Sequence, residues 1–347
     1  MNDTIPVSTL VTPTPPVTKP NSMRPWKSYV IAFLLIWVVI AFGFGYWREI
    51  IQHWQMAIVM IFGSLVAGST PMGGGTVAFP ILVLVFNQAP ANARNFGLII
   101  QALGMTSALI FIVCRKVPLP YRLLLGSTGG AALGFLLGTF AIGPYVQSSF
   151  VKLSFSCLWM SFGILTLARN AEICSLKGKG PLGNTRTEII GLVAGLIGGT
   201  LASMIGVGVE FCIYAVMVLI YRADLKIAVP TAVCAAALAS VAGAALHLLI
   251  GDVSRTAVMD WLAAGPIVIF GAPAGTWLVS VLPRIKVLYF VSGLCVFQFV
   301  WTLNQTAKSP SEWYFVSAAM ATAVIVLFTL YRTGKKTPAP EFARQGA

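Results

Sequence analysis

The sequence predicts an all-α polytopic membrane protein of two inverted repeats, each with three full spans plus a re-entrant or broken-helix hairpin, and an extra helix at either end. Composition, the length of the uncharged runs and an internal duplication predict it. Of 347 residues, 57% are hydrophobic and 10% charged, with a mean hydropathy of +0.86. Soluble domains carry roughly 25% charged residues, so this chain cannot coat a water-facing surface. That excludes a soluble enzyme and a free nucleic-acid binder. The formal charge of +13 is what basic loops of a membrane protein give, and the partner implied is a lipid bilayer, with no nucleic acid.

Residues 1–27, rich in Thr, Pro and Val, read as a disordered cytoplasmic tail, and so do 333–347. Uncharged runs at 28–47, 54–93, 95–114, 123–151, 189–209, 227–251, 261–283, 287–307 and 313–331 form one transmembrane domain over 28–332, because a span takes about 20 apolar residues. A shorter run, 153–168, is extended by Lys152 at its edge. The first run is long for a signal sequence and has no small-x-small cleavage site, so it reads as an uncleaved helix. The run 54–93 is 40 residues long, too long for one span of about 17–25. Pro71 with Gly73, Gly74 and Gly75 divides it into pieces at 54–70 and 73–86. Each is short for a crossing, which gives a re-entrant hairpin or two short spans. The counterpart in the second half is 188–203 and 206–221.

Repeat A covers 54–168 and repeat B 188–304, in the same order: an apolar helix, a glycine break, a short apolar piece and three long helices. Gly134, Gly138 and Thr139 match Gly271, Gly275 and Thr276, and Lys152 matches Lys286, at an offset drifting from 133 to 137. If both hairpins cross an even number of times, 18 of the 23 basic residues fall on one side and Arg48, Arg94, Lys152, Arg255 and Lys308 on the other. Single crossings give a near-even split. Cytoplasmic loops concentrate Lys and Arg, so the even-crossing arrangement wins. It leaves both termini cytoplasmic in a cell (plasma or inner) membrane and turns the repeats upside down relative to each other. Inverted repeats with broken helices are the architecture of secondary transporters, with substrate bound where the repeats meet.

The segment GSLVAGSTPMGGGTVAFPILVLVF (63–86) resembles the TauE/SafE family of sulfite and organosulfonate exporters, with its small-residue helix, glycine break and downstream Pro80. GLVAGLIGGTLASMIGVGVEF (191–211) is similar to a second copy, with valine for glycine in the break and no proline. The resemblance spans about 54–306. It implies movement of small sulfur-containing anions driven by an ion or by the membrane potential, and the inverted repeats suit an alternating-access permease.

Candidate substrate-binding residues are Gly73, Gly74, Gly75 and Thr76 at the first break and Gly206 and Gly208 at the second. Free N–H groups at a half-helix N-terminus attract anions. Arg94 with Asn95 is a candidate anion contact at the start of the next helix, although Arg94 also suits an interfacial charge. Glu210 lies in an otherwise apolar piece, and intramembrane carboxylates mark ion or proton sites, so a proton is the expected coupling ion. His247 reads as a packed or interfacial residue, and Gln101 as a helix-to-helix hydrogen bonder. Trp37, Trp47, Trp54, Trp261 and Trp313 read as interfacial anchors and the GxxxGT pairs as packing faces. Six cysteines without metal spacing and two histidines predict no metal and no cofactor. An oligomer is possible. The alternatives are an anion channel and an intramembrane enzyme, for which no GxSxG, HExxH or paired-carboxylate signature appears.

Overall fold

In a bilayer every backbone polar group must be satisfied within the protein, and a helix does this locally. The computed structural model describes residues 22–168, 172, 176, 178, 180–181, 183–281 and 284–336, and most of them are helical. They form helices α1 (Arg24–Val38), α2 (Trp47–Gln52), α3 (Trp54–Ser69), α4 (Gly75–Pro80), α5 (Pro90–Cys114), α6 (Tyr121–Leu136), α7 (Ser148–Ala168), α8 (Thr185–Ile205), α9 (Val209–Ala215), α10 (Leu225–Leu249), α11 (Arg255–Val281), α12 (Arg284–Thr306) and α13 (Pro310–Lys336). Wider π-type turns extend α1, α4, α6 and α9. The fold is therefore all-α and polytopic.

Among the described residues eight segments are long and apolar enough to cross a membrane: Arg24–Gly43, Pro90–Cys114, Tyr121–Tyr145, Ser148–Leu165, Thr185–Ile205, Leu225–Leu249, Arg255–Leu278 and Pro310–Gly334. Trp54–Ser69 and Val209–Ile220 are apolar but shorter. Some boundaries differ from expectation. Helix α1 begins at Arg24 rather than 28, with Pro25 in its first turn, where a missing N–H costs nothing. Helix α13 runs on to Lys336, four residues past 332. The rest of the expected tails, 1–21 and 337–347, lies outside the described residues. Helix α8 starts at Thr185 rather than 188, because Asn184 caps it by accepting from the Thr187 N–H at 2.9 Å. The second hairpin thus has one arm of spanning length and one short arm. Helix α2 was not foreseen. It carries Glu49 to a two-pronged ion pair with Arg255, at 2.8 Å for each bond, and these hydrogen bonds hold the Glu49 carboxyl below the usual carboxylate range.

The two halves match in detail. Gly73 and Gly206, at the breaks, have φ of +71° and +79°, the left-handed region open to glycine. The short arms end alike: Phe86 N–H bonds Ile81 C=O as Tyr221 N–H bonds Val216 C=O, and Gln88 N–H bonds Leu82 C=O as Ala223 N–H bonds Met217 C=O. Asn87 and Arg222 then turn with φ of 50° and 51°. Each of these correspondences lies at an offset of 133 or 135.

Ion pairs tie the ends of both hairpins. Arg222, after the second hairpin, meets Glu172, before it, at 2.5 Å, and Arg122 meets Glu188 at 3.1 Å. Before the first hairpin, His53 Nδ1 lies 2.7 Å from Asp260; after it, Arg94 lies 2.7 Å from Asp252. Each hairpin therefore leaves the bundle at the end where it entered.

Packing exchanges partners between the halves. Helix α8 lies along α6 and α3 along α11, while α5 packs on α10 and α11, and α7 on α12. The α6/α8 seam is a close approach of two backbones along its whole length. β-Carbons on Gly126, Gly130 or Gly134 would overlap the carbonyl oxygens of Glu188, Leu192 and Leu196, and β-carbons on Gly191, Gly195 or Gly199 those of Leu123, Ser127 and Ala131. The matching glycines Gly271 and Gly275 press on Ser64 and Leu65 of α3, and Thr276 Oγ1 donates to the Gly68 carbonyl at 3.1 Å. The GxxxGT pairs are packing faces, as close backbone approach in membranes requires.

Candidate functional site

Helix α5 is the element on which both breaks converge. A β-carbon on its Gly97 would lie 3.6 Å from Gly75 Cα and 3.9 Å from Gly206 Cα, and a β-carbon on Gly206 would lie 3.2 Å from Arg94 Cα. One turn further along α5, the Gln101 side chain donates from Nε2 to the Gly206 carbonyl at 2.8 Å and accepts from Ser240 Oγ of α10 at 3.4 Å. Gln101, fully buried, thus pins the second break to α5, in line with the helix-to-helix role read from its type.

Glu210 stands in the first turn of α9 and is 2% exposed. Its Oε2 accepts from the Gly208 N–H at 3.3 Å, satisfying one donor the short helix leaves free. The other oxygen, Oε1, is buried with no hydrogen-bond partner and is turned toward the first break: a β-carbon on Gly73 would overlap it. The carboxyl of one hairpin therefore touches the backbone of the other. A carboxyl oxygen left without a donor in an apolar interior is costly, and binding a proton or cation relieves that cost.

Gly73, Gly74, Gly75, Gly206, Gly208 and Glu210 are brought together in this central cluster. Thr76 belongs to α4 by its backbone, and its side chain lies outside the described residues. Arg94 packs its main chain on Gly206, while the side chains of Arg94 and Asn95 meet the 250–254 loop at the end of α5. Arg94 Nη1 donates to the Ser203 carbonyl in the last turn of α8 at 3.3 Å, where a cation also meets the negative end of the helix dipole. His247 is fully buried, as a packed histidine, and its Nδ1 lies 3.0 Å from both carboxylate oxygens of Asp252.

Sequence reasoning missed four participants. Gly97 and Ser240 are small residues in small-residue helices and carry no signal of their own. Asp252 lies in a loop, where a carboxylate is unremarkable. Asp260, 3% exposed and bound to His53, was legible as a carboxylate at the margin of an apolar run. Trp37 and Trp261, read as interfacial anchors, donate to the backbone carbonyls of Leu262 and Ile99 at 2.7 and 3.1 Å. Cys174 lies outside the described residues; the other five cysteines are free thiols. Among the described residues no cluster of three or more His, Cys, Asp or Glu side chains forms a metal site.

Beside the first break an apolar cavity of about 190 Å³ runs from Met72 along Pro80 and Leu84 to Gln298 and Trp301 of α12. It flanks the polar cluster and is lined almost wholly by carbon.

No curated protein and no solved structure matches the chain. The family profile for the sulfite exporter TauE/SafE matches residues 56–302, a stretch that holds both breaks, Arg94, Glu210 and the packing faces. The chain belongs to the TauE/SafE family of membrane transporters.

Proposed function

We propose that the protein is a secondary-active permease for small sulfur-containing oxyanions, sulfite or organosulfonates, working by alternating access between two inverted repeats. The observation that carries this reading is the meeting of both glycine breaks on Gly97 and Gln101 of α5, with Glu210 of one hairpin against Gly73 of the other. Broken helices that meet where two repeats join are where such transporters bind their substrate. The anion is held by backbone N–H groups at the breaks, at the positive ends of the short helices. Glu210 is the proton site: a protonated carboxyl leaves the anion unopposed, and an ionised one repels it, which links the two movements. The excess of basic residues on one side supports an orientation with both termini in the cytoplasm of a cell whose plasma or inner membrane holds the protein.

The test is flux in proteoliposomes loaded with sulfite, methanesulfonate or acetate under an imposed proton gradient. Sulfite or methanesulfonate is expected to move faster than acetate and to slow when an uncoupler is added. Flux of none of these anions overturns the reading, and ohmic single-channel currents replace it with a channel.

A further inference from the structure

The polar group at the end of α5 is built like a receptor for an oxyanion, and the position of the anion is filled by the protein itself. Arg94 Nη2 donates to Asp252 Oδ2 at 2.7 Å, Asn95 Nδ2 reaches Oδ1 at 3.3 Å, and His247 Nδ1 stands 3.0 Å from both oxygens. The donors are deeply placed: Asn95 and His247 are 1% and 0% exposed, and the Arg94 side chain is 14% exposed. The carboxylate they hold is 36% exposed and comes from the short loop between α10 and α11. Planar fork, amide and imidazole converging on two oxygens form the donor set that carboxylates and other oxyanions share.

Asp252 is the exposed member of the cluster, at 36%, while its partners sit deeper, on helices. Arg94 is positioned from two further sides, through Nε to Asn95 Oδ1 at 3.0 Å and through Nη1 to the Ser203 carbonyl. Asn95 also donates to the Asp252 backbone carbonyl at 2.9 Å. The loop turns at Gly251, whose φ is +73° and which has open space where a β-carbon would stand. Lifting the carboxylate out at this turn exchanges the Asp252 N–H bond to the His247 carbonyl and the Asn95 bond to the Asp252 carbonyl for bonds to water. His247 Nε2 is buried and without a hydrogen-bond partner, on the ring edge away from Asp252. Through Arg94 the cradle also adjoins the second break, because the Arg94 main chain packs directly on Gly206.

We propose that Arg94, Asn95 and His247 form an outer binding site for a small oxyanion, kept closed by the Asp252 carboxylate, which takes the place of the anion. This rests on the transport reading given above. It adds an access site at the proposed outer face, before the central cluster. Asp252 is a tethered competitor: a short loop presents it at an effective concentration in the millimolar range. A free anion must displace it, so the apparent affinity is lowered by the fraction of molecules in which the loop is closed.

Calorimetric titration of the purified full-length protein with methanesulfonate, a fixed monoanion, tests the site without requiring transport. Asp252→Ala is expected to bind at least about 10-fold more tightly than the wild type, because the competitor is gone. Asp252→Asn keeps the shape but not the charge and is expected to bind more tightly than the wild type by a smaller factor. Asp252→Glu, which keeps a tethered carboxylate, is expected to stay near the wild type. Adding Arg94→Gln to Asp252→Ala should abolish the gain. Equal or weaker binding by Asp252→Ala and Asp252→Asn, with thermal midpoints unchanged, overturns the proposal, and so does no binding by any variant. Absent binding with intact flux removes this site alone, whereas loss of flux in the wild type removes the transport reading.

Discussion

Glu210 faces two demands at residue scale: it caps its own helix through Gly208 and leaves its second oxygen against Gly73. Glu210→Gln keeps the volume and the cap but cannot exchange a proton. On the proposed coupling role, it should retain folding while flux becomes insensitive to a pH gradient. A variant whose flux still follows the gradient removes that role. Gly73 is bound by a different constraint, since its φ of +71° and the Glu210 oxygen leave no room for a methyl group. Gly73→Ala carries a backbone cost of about 1–3 kcal/mol and displaces the carboxyl. Flux is expected to fall at least about 10-fold with membrane insertion unchanged, and wild-type flux would count against the break as the site. These residues were legible because a glycine run interrupts a span and a carboxylate inside an apolar stretch is costly, so each stands out against its neighbours. Asp252 and Ser240 were not, because their meaning comes from partners about 140 to 160 residues away.

Among elements, the α6/α8 seam offers a controlled comparison. Gly130 lies against the Leu192 carbonyl, while one position earlier Gly129 faces open space. Gly130→Ala should lower stability by about 1–3 kcal/mol, as overpacking does. Gly129→Ala should be neutral or stabilising by up to about 1 kcal/mol, from helix propensity alone. Thermal unfolding in detergent reads both, and equal effects would deny the seam its close packing. The clamp between α2 and α11 has a pH signature. The Glu49 carboxyl is held low by Arg255, so its contribution is present above the ordinary glutamate range and is lost as pH falls through the lowered value. The difference in midpoint between wild type and Glu49→Gln should therefore be largest near neutrality and vanish in acid. Helix α2 was hidden from the sequence because six residues with mixed character have no period to read.

Across the whole molecule, segregated ion pairs make the topology testable. On a cysteine-free background, Arg48→Cys and Lys308→Cys should react with a membrane-impermeant maleimide in intact cells. Lys116→Cys and Arg186→Cys should react only after permeabilisation. Labelling of Arg48→Cys and Lys116→Cys from the same side would restore single crossings and undo the inverted arrangement. The fold class and both breaks could be read from the sequence because bilayer thickness sets span length and glycine marks where a span fails. Which helices touch could not be read, since small-residue faces on α3, α6, α8 and α11 look alike until they are paired.

The exchange of packing partners also sets a timetable for biogenesis. Helix α6 has a face of bare backbone that waits for α8, about 50 residues further along, or roughly 3 to 10 s at ordinary rates of synthesis. Helix α3 waits far longer, because α11 begins about 185 residues after α3 ends, roughly 10 to 40 s later. Throughout that interval the first half is a nascent chain with an unfilled seat in the membrane. The ribosome delivers α11 with only α12 and α13 still to come, so the seat beside α3 is filled late in synthesis.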